Sequence, residues 1–142
     1  MTPDEIRTRI VNEIKLHGYN DQFIDRGEER AFIQTAIQLG VSVEDALAAL
    51  RRVCSELGYL LESDVWATTE ARVTEAGRAG RIDRAAFDAM VAAALAALRG
   101  KKSEGEVRAM VVTLMERTGN NRVKTGWVRN WYRELKQELG IA

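Results

Sequence analysis

Ile24-Asp25-Arg26-Gly27-Glu28-Glu29-Arg30 begins a stretch that is written again, loosely, 58 residues on, where Ile82-Asp83-Arg84 repeats its first three residues. Three further ties share an offset of 61: Ser42 falls on Ser103, Gly58 on Gly119 and Trp66 on Trp127. The difference of three residues fits in the loop between the first two helices of each copy. Residues 24–76 thus form one repeat unit and residues 82–142 a second, preceded by an N-terminal helix over 1–18. A small helical unit cannot bury its own apolar face alone, so a duplicated one gains by packing against its copy. The expected architecture is all-α, about seven helices, with the two homologous three-helix units and the N-terminal helix packed as one domain of 142 residues.

Helix starts and stops are marked along the whole chain. Thr2 is placed to cap a first helix, with Pro3 at its first position and Glu5 completing a capping box. Ile6, Ile10 and Ile14 then line one face up to Gly18. Asp25 with Glu28 caps a second helix carrying Phe32, Ile33, Ala36 and Ile37, stopped by Gly40. Ser42 caps a third, whose Val43, Ala46, Leu47, Leu50, Val53, Cys54 and Leu57 share one face until Gly58. Ser63 is expected to cap the helix of Trp66 and Val73, and Gly77-Arg78-Ala79-Gly80 to join the two units. Asp83 opens a fifth helix with Phe87, Met90, Val91, Ala94, Leu95 and Leu98 on one side and Ala85, Ala89, Ala92 and Ala96 on the other. So little polarity on either face predicts a helix surrounded by protein. Ser103 and Glu106 cap a sixth helix ended by Gly119, and a seventh is expected from about Trp127 to Leu139. Tyr59-Leu60-Leu61 and the region of Val123 are the two places where a short extended bridge fits, each ahead of a tryptophan helix. Trp66 and Trp127 are expected to be buried at equivalent positions.

Composition matches a folded, soluble domain, with 46% hydrophobic and 30% charged residues. No apolar run of about 18 residues occurs and the start, Met1-Thr2-Pro3-Asp4-Glu5, is unlike a signal peptide, so a cytoplasmic location is expected. The net charge is zero, yet residues 1–80 hold 9 basic against 14 acidic side chains and residues 81–142 hold 12 against 7, a distribution of −5 and +5. Such asymmetry steers a partner or polyanion to one end, or favours head-to-tail self-association at low salt.

Enzymatic readings find few residues to work with. His17 is the sole histidine, at the end of the first helix, and Cys54 the sole cysteine, in line with Leu47, Leu50 and Leu57. A histidine-based triad, a zinc site or a disulfide therefore has no ordinary set of side chains, and phosphate-loop, nucleophile-elbow and dinucleotide motifs do not occur. Asp21, Asp25, Glu28 and Glu29 cluster, but acidic residues at a helix start are ordinary capping chemistry. No catalytic residue, metal site or cofactor is expected.

Two resemblances bear on class. Glu75 to Phe87, with Gly80 at a sharp turn, Ile82 two residues later and Phe87 in the exit helix, resembles the second half of an EF-hand. Gly77, Ala79 and Ala86 stand where oxygen ligands belong, so calcium binding is not expected. Phe23 to Arg30, followed by Ala36 and Leu39-Gly40-Val41-Ser42, resembles the helical TerB-like domains of tellurite resistance. That resemblance implies an all-helical module joined to chaperone, kinase or stress-response machinery and acting through partners; no functional residue is carried over from it.

The candidate site lies at the C-terminus, where Arg117, Arg122, Lys124, Arg129, Arg133 and Lys136 meet only Glu134 between residues 117 and 136. On the expected seventh helix Arg129, Arg133 and Lys136 project within about 60° of one another beside Tyr132. Arg122 and Lys124 extend this basic stripe from the preceding loop. Arginines on a rigid helix clamp acidic partner residues or phosphates. The same charges also suit a solvated face, or docking against the acidic half of the chain. The link from Thr118 to Gly126 is too long for a helix-turn-helix, whose turn takes about 3 to 4 residues. The expected function is that of a non-enzymatic protein-protein interaction or adaptor module. Nucleic-acid binding by the basic C-terminal unit is the alternative, self-association is left open, and no membrane is involved.

Overall fold

Asp25 and Ser103 each accept a hydrogen bond from the backbone N–H three residues on, and the Glu28 and Glu106 carboxylates each accept one from the N–H of the cap residue, so both expected capping boxes are complete. A computed structural model of the chain describes residues 2–16 and 22–141, the side chains of 14–16 apart. Among the described residues there are seven α-helices and one pair of two-residue strands. The chain divides into two compact units, Met1–Ser63 and Asp64–Ala142.

In the first unit the helices are α1 (Pro3–Leu16), α2 (Arg26–Gln38) and α3 (Val43–Leu57), with β1 (Phe23–Ile24) and β2 (Leu60–Leu61) between them and at the end. Thr2 accepts from the Glu5 N–H, as expected of a helix start. Gly58 ends α3 at a positive φ of 74°, where a side chain would be strained. β1 and β2 pair in parallel, Phe23 with Leu60 and Ile24 with Leu61. Ile10, Ile24, Leu50, Val53, Cys54 and Leu61 form the core behind them. Each large aliphatic side chain buried there stabilises the unit by roughly 1.5 to 3 kcal/mol. Gly18, His17 and Asp21, and the side chain of Ile14, lie outside the described residues.

The second unit comprises the greater part of α4 (Glu62–Ala79), then α5 (Arg84–Ala97), α6 (Glu104–Arg117) and α7 (Trp131–Leu139). An isolated parallel bridge, Ile82 with Val123, stands where the first unit has Ile24 with Leu61. Its core is drawn from all four helices, with Val73, Phe87, Leu98, Val107, Leu114 and Met115 fully enclosed. Asp83 caps α5 as expected.

Five expectations give way. Ser63 is not the cap of α4: the helix starts at Glu62, and the Ser63 hydroxyl donates to Glu29 at 2.9 Å. Gly77 to Ala79 complete α4, and the boundary between units falls inside that helix, after Ser63, rather than at 77–80. Ala85, Ala89, Ala92 and Ala96 are exposed, and it is the stripe of Phe87, Met90, Val91, Ala94 and Leu98 on the other side that is buried in the unit's core. Finally, α7 begins at Trp131 and not at Trp127. Asn130, whose side chain accepts from the Arg133 N–H, is the cap that decides this. Trp127 is wholly exposed while Trp66 is partly buried, so the two indoles are not equivalent.

Candidate interaction surface

Each unit has one short parallel bridge, Ile24 with Leu61 in the first and Ile82 with Val123 in the second. α4 follows Leu61 directly, whereas residues 124–130 intervene between Val123 and α7. Residues 124–130 therefore form a loop that has no counterpart after Leu61. At its tip Trp127 and Val128 have relative exposures of 105% and 95%. Scattered exposed aliphatics need no explanation, but an adjoining Trp and Val fully out of the core do.

Trp131 does what Trp127 was expected to do. Its ring lies 5.4 Å from that of Phe87, the Arg84 guanidinium sits 5.5 Å from its centroid, and its indole N–H donates to the Lys124 carbonyl at 2.9 Å. That last bond pins the base of the loop to α7, so the tip projects from an anchored stem.

The predicted basic residues divide into two groups. Arg122, Lys124, Arg129 and Arg133 are exposed around the loop. Arg129 pairs with Glu134 at 3.2 Å, and it precedes α7 instead of riding on it. Tyr132 and Lys136 turn inward, which corrects their assignment to a contact stripe. Tyr132 is buried and its hydroxyl donates to Glu116 at 3.0 Å, while the Lys136 ammonium reaches the same Glu116 oxygen at 2.6 Å. Asn121 donates to the other oxygen at 2.7 Å. Glu116 is thus the post on which α7 is hung. The Lys136 hydrogen bond holds its carboxyl below the usual range, and burial with donation to Glu116 pushes the Tyr132 phenol well above its own.

Sequence reasoning placed Trp131 on the apolar face of the seventh helix and missed Glu116 and Asn120. It also missed Glu62, a buried carboxylate that accepts from the Arg26 N–H at the start of α2. Arg81 and Arg122, next to the bridged Ile82 and Val123, line a notch with Gly77, Gly80, Gly119 and Asn120. The notch lies beyond the C-terminal ends of α4 and α6, where positive side chains complement the helix dipoles. In the first unit, Ile6, Phe32, Ala36, Leu39 and Val41 line an apolar groove between α1 and α2, edged by Arg9, Glu13 and Thr35. Among the described residues no group of three or more His, Cys, Asp or Glu is placed to hold a metal ion, and no helix is long and apolar enough to cross a membrane.

Compared with known protein families, characterised proteins and solved structures, the chain matches none.

Proposed function

We propose that the chain is a non-enzymatic helical interaction module that holds a partner protein through the loop of residues 124–130. The observation carrying this reading is the outward Trp127-Val128 tip on a pinned stem, rimmed by Arg122, Lys124, Arg129 and Arg133. A central aromatic anchor with arginines around it is the composition that dominates binding energy at protein interfaces. The complementary partner surface is an apolar socket with acidic residues at its edge. The resemblance to TerB-like domains points the same way, toward a module joined to stress-response, chaperone or signalling proteins.

Nucleic-acid binding is the second reading, favoured by the exposure of Arg122, Lys124 and Arg133 and by an indole available for base stacking. Pull-down from native extract with the wild type and with Trp127→Ala, each with and without nuclease, separates the two. A protein partner survives nuclease and is lost with Trp127→Ala. A nucleic-acid ligand disappears with nuclease, and its affinity falls with salt on a log-log line whose slope follows the number of phosphate contacts. Retention of the same partner by Trp127→Ala overturns the loop as the contact.

A further inference from the structure

We infer that the notch beyond the C-terminal ends of α4 and α6 is a phosphate-binding site, in which Arg81 and Arg122 clamp one phosphoryl group between them. The site uses neither Trp127 nor Val128. The parallel bridge of Ile82 with Val123 sets its arrangement. Arg81 and Arg122 each stand one residue before the bridge, where paired backbones run about 5 Å apart and successive side chains point to opposite faces. Ile82 is buried, whereas both arginines are exposed and line the same notch.

Two like charges held side by side repel, and no carboxylate offsets them. No Asp or Glu lines the notch, and neither guanidinium makes an ion pair or hydrogen bond among the described residues. By contrast Arg78, Arg84, Arg108, Arg117 and Arg129 of the same unit are each paired with a carboxylate. A parallel bridge does not need the cations, since Phe23 and Leu60 hold the two positions before Ile24 and Leu61 in the first unit. The helix dipoles do not need them either, because they act within the last turn, where Arg78 already stands on α4 and Arg117 on α6.

A phosphoryl group supplies what the pair lacks. A phosphomonoester carries up to two negative charges and three acceptor oxygens, enough for two planar guanidinium forks, whereas a carboxylate brings one charge and two oxygens. The notch has a volume of about 190 Å³, below the ~300 to 1,000 Å³ of pockets that enclose an organic ligand. It therefore takes the phosphoryl group and leaves the rest of the molecule outside. Gly77, Gly80 and Gly119 put no side chain into that space. Free phosphate and a phosphorylated side chain share this chemistry, and a nucleic-acid phosphodiester, with a single charge, is the poorer match.

Titration of the full isotope-labelled chain at constant ionic strength, followed by backbone amide chemical shifts, tests this. Inorganic phosphate and O-phosphoserine should each give saturable shifts centred on Gly80, Arg81, Gly119, Asn120 and Arg122, and acetate none. Tighter binding of one or the other names the source, free phosphate or a phosphorylated side chain, and either order supports the site. Arg81→Gln and Arg122→Gln should each weaken phosphate binding about ten- to a hundredfold, the loss of one charge-assisted contact. Arg81→Lys, which keeps the charge without the planar fork, should fall in between. Shifts that never saturate, or that appear equally around the exposed Arg99 and Arg133, overturn the site. So does an equal response to acetate, tighter binding of an oligonucleotide without terminal phosphate, or unchanged affinity in both glutamine variants. Trp127→Ala should bind phosphate as the wild type does, so the notch and the loop stand or fall separately: Arg81→Gln reports on the first, and loss of a partner from the extract with Trp127→Ala on the second.

Discussion

Trp127 and Trp131 are four residues apart and have opposite roles. Trp131 contacts Phe87 and donates to the Lys124 carbonyl, so Trp131→Ala should lower stability by about 2 to 3 kcal/mol, somewhat less than for a fully enclosed indole. Trp127→Ala should change it by no more than about 0.5 kcal/mol. Urea unfolding of both variants checks this, and a large loss in Trp127→Ala would mean that the tip is packed. Gly77 gives a second test, because two effects oppose one another there. Alanine in a helix interior gains about 1 kcal/mol over glycine. A Cβ at this position, however, would lie 2.1 Å from the Asn120 Oδ1 and 2.9 Å from the Asn120 Cβ. Asn120 is held by its N–H to Met115 and by its amide to Thr118, so it cannot swing aside freely. Overpacking should win, and Gly77→Ala should cost about 1 to 2 kcal/mol by thermal or urea melts.

At the scale of the element, α7 is nine residues long and too short to persist unaided. It is held by Tyr132 and Leu135 in the core and by the Glu116 hub. Reversing Lys136 to Glu sets two carboxylates against each other and should cost about 2 to 3 kcal/mol, whereas Arg129→Glu with Arg133→Glu should leave the melting profile nearly unchanged. The pH dependence follows from the same hub. The carboxyl of Glu116 is lowered in the folded state, so its contribution is present above the ordinary glutamate range near 4.3 and is lost as pH falls through the folded value. Tyr132 is raised, so its contribution persists up to the ordinary phenol range near 10 and is lost above it. Trp131 fluorescence followed in urea from pH 3 to 7 should therefore show α7 loosening in acid, and Glu116→Gln should flatten that acid limb. An identical acid limb in Glu116→Gln would assign it to other carboxylates.

For the molecule as a whole, the two units have separate cores, with Ile10, Leu50 and Leu61 in one and Phe87, Leu114 and Met115 in the other. Leu50→Ala and Leu114→Ala should each cost about 2 to 5 kcal/mol. Native-state hydrogen exchange should place the loss of protection for Leu50→Ala in α1 and α3, and for Leu114→Ala in α5, α6 and α7. Equal loss throughout in both variants would show the 142 residues to be one cooperative body.

The caps Asp25, Ser42, Asp83 and Ser103, the stops Gly58 and Gly119, and the bridges near Leu61 and Val123 were legible because each depends on a few residues close in sequence. The apolar stripes of α3, α5 and α6 were legible for the same reason, since one face of a helix is written at fixed spacing. The fate of Trp127 was not. Periodicity from Trp127 through Trp131 to Leu135 is continuous, and Asn130 reads as a polar residue on an open face until its side chain is found accepting from Arg133. Likewise Lys136 and Tyr132 share a side with Arg133 on any helical wheel, and only the arrival of Glu116 from α6 draws them inward. Local sequence decides where backbone hydrogen bonds begin and end; which side chains remain for a partner depends on what the rest of the chain brings beside them, and that is settled only when the helices pack.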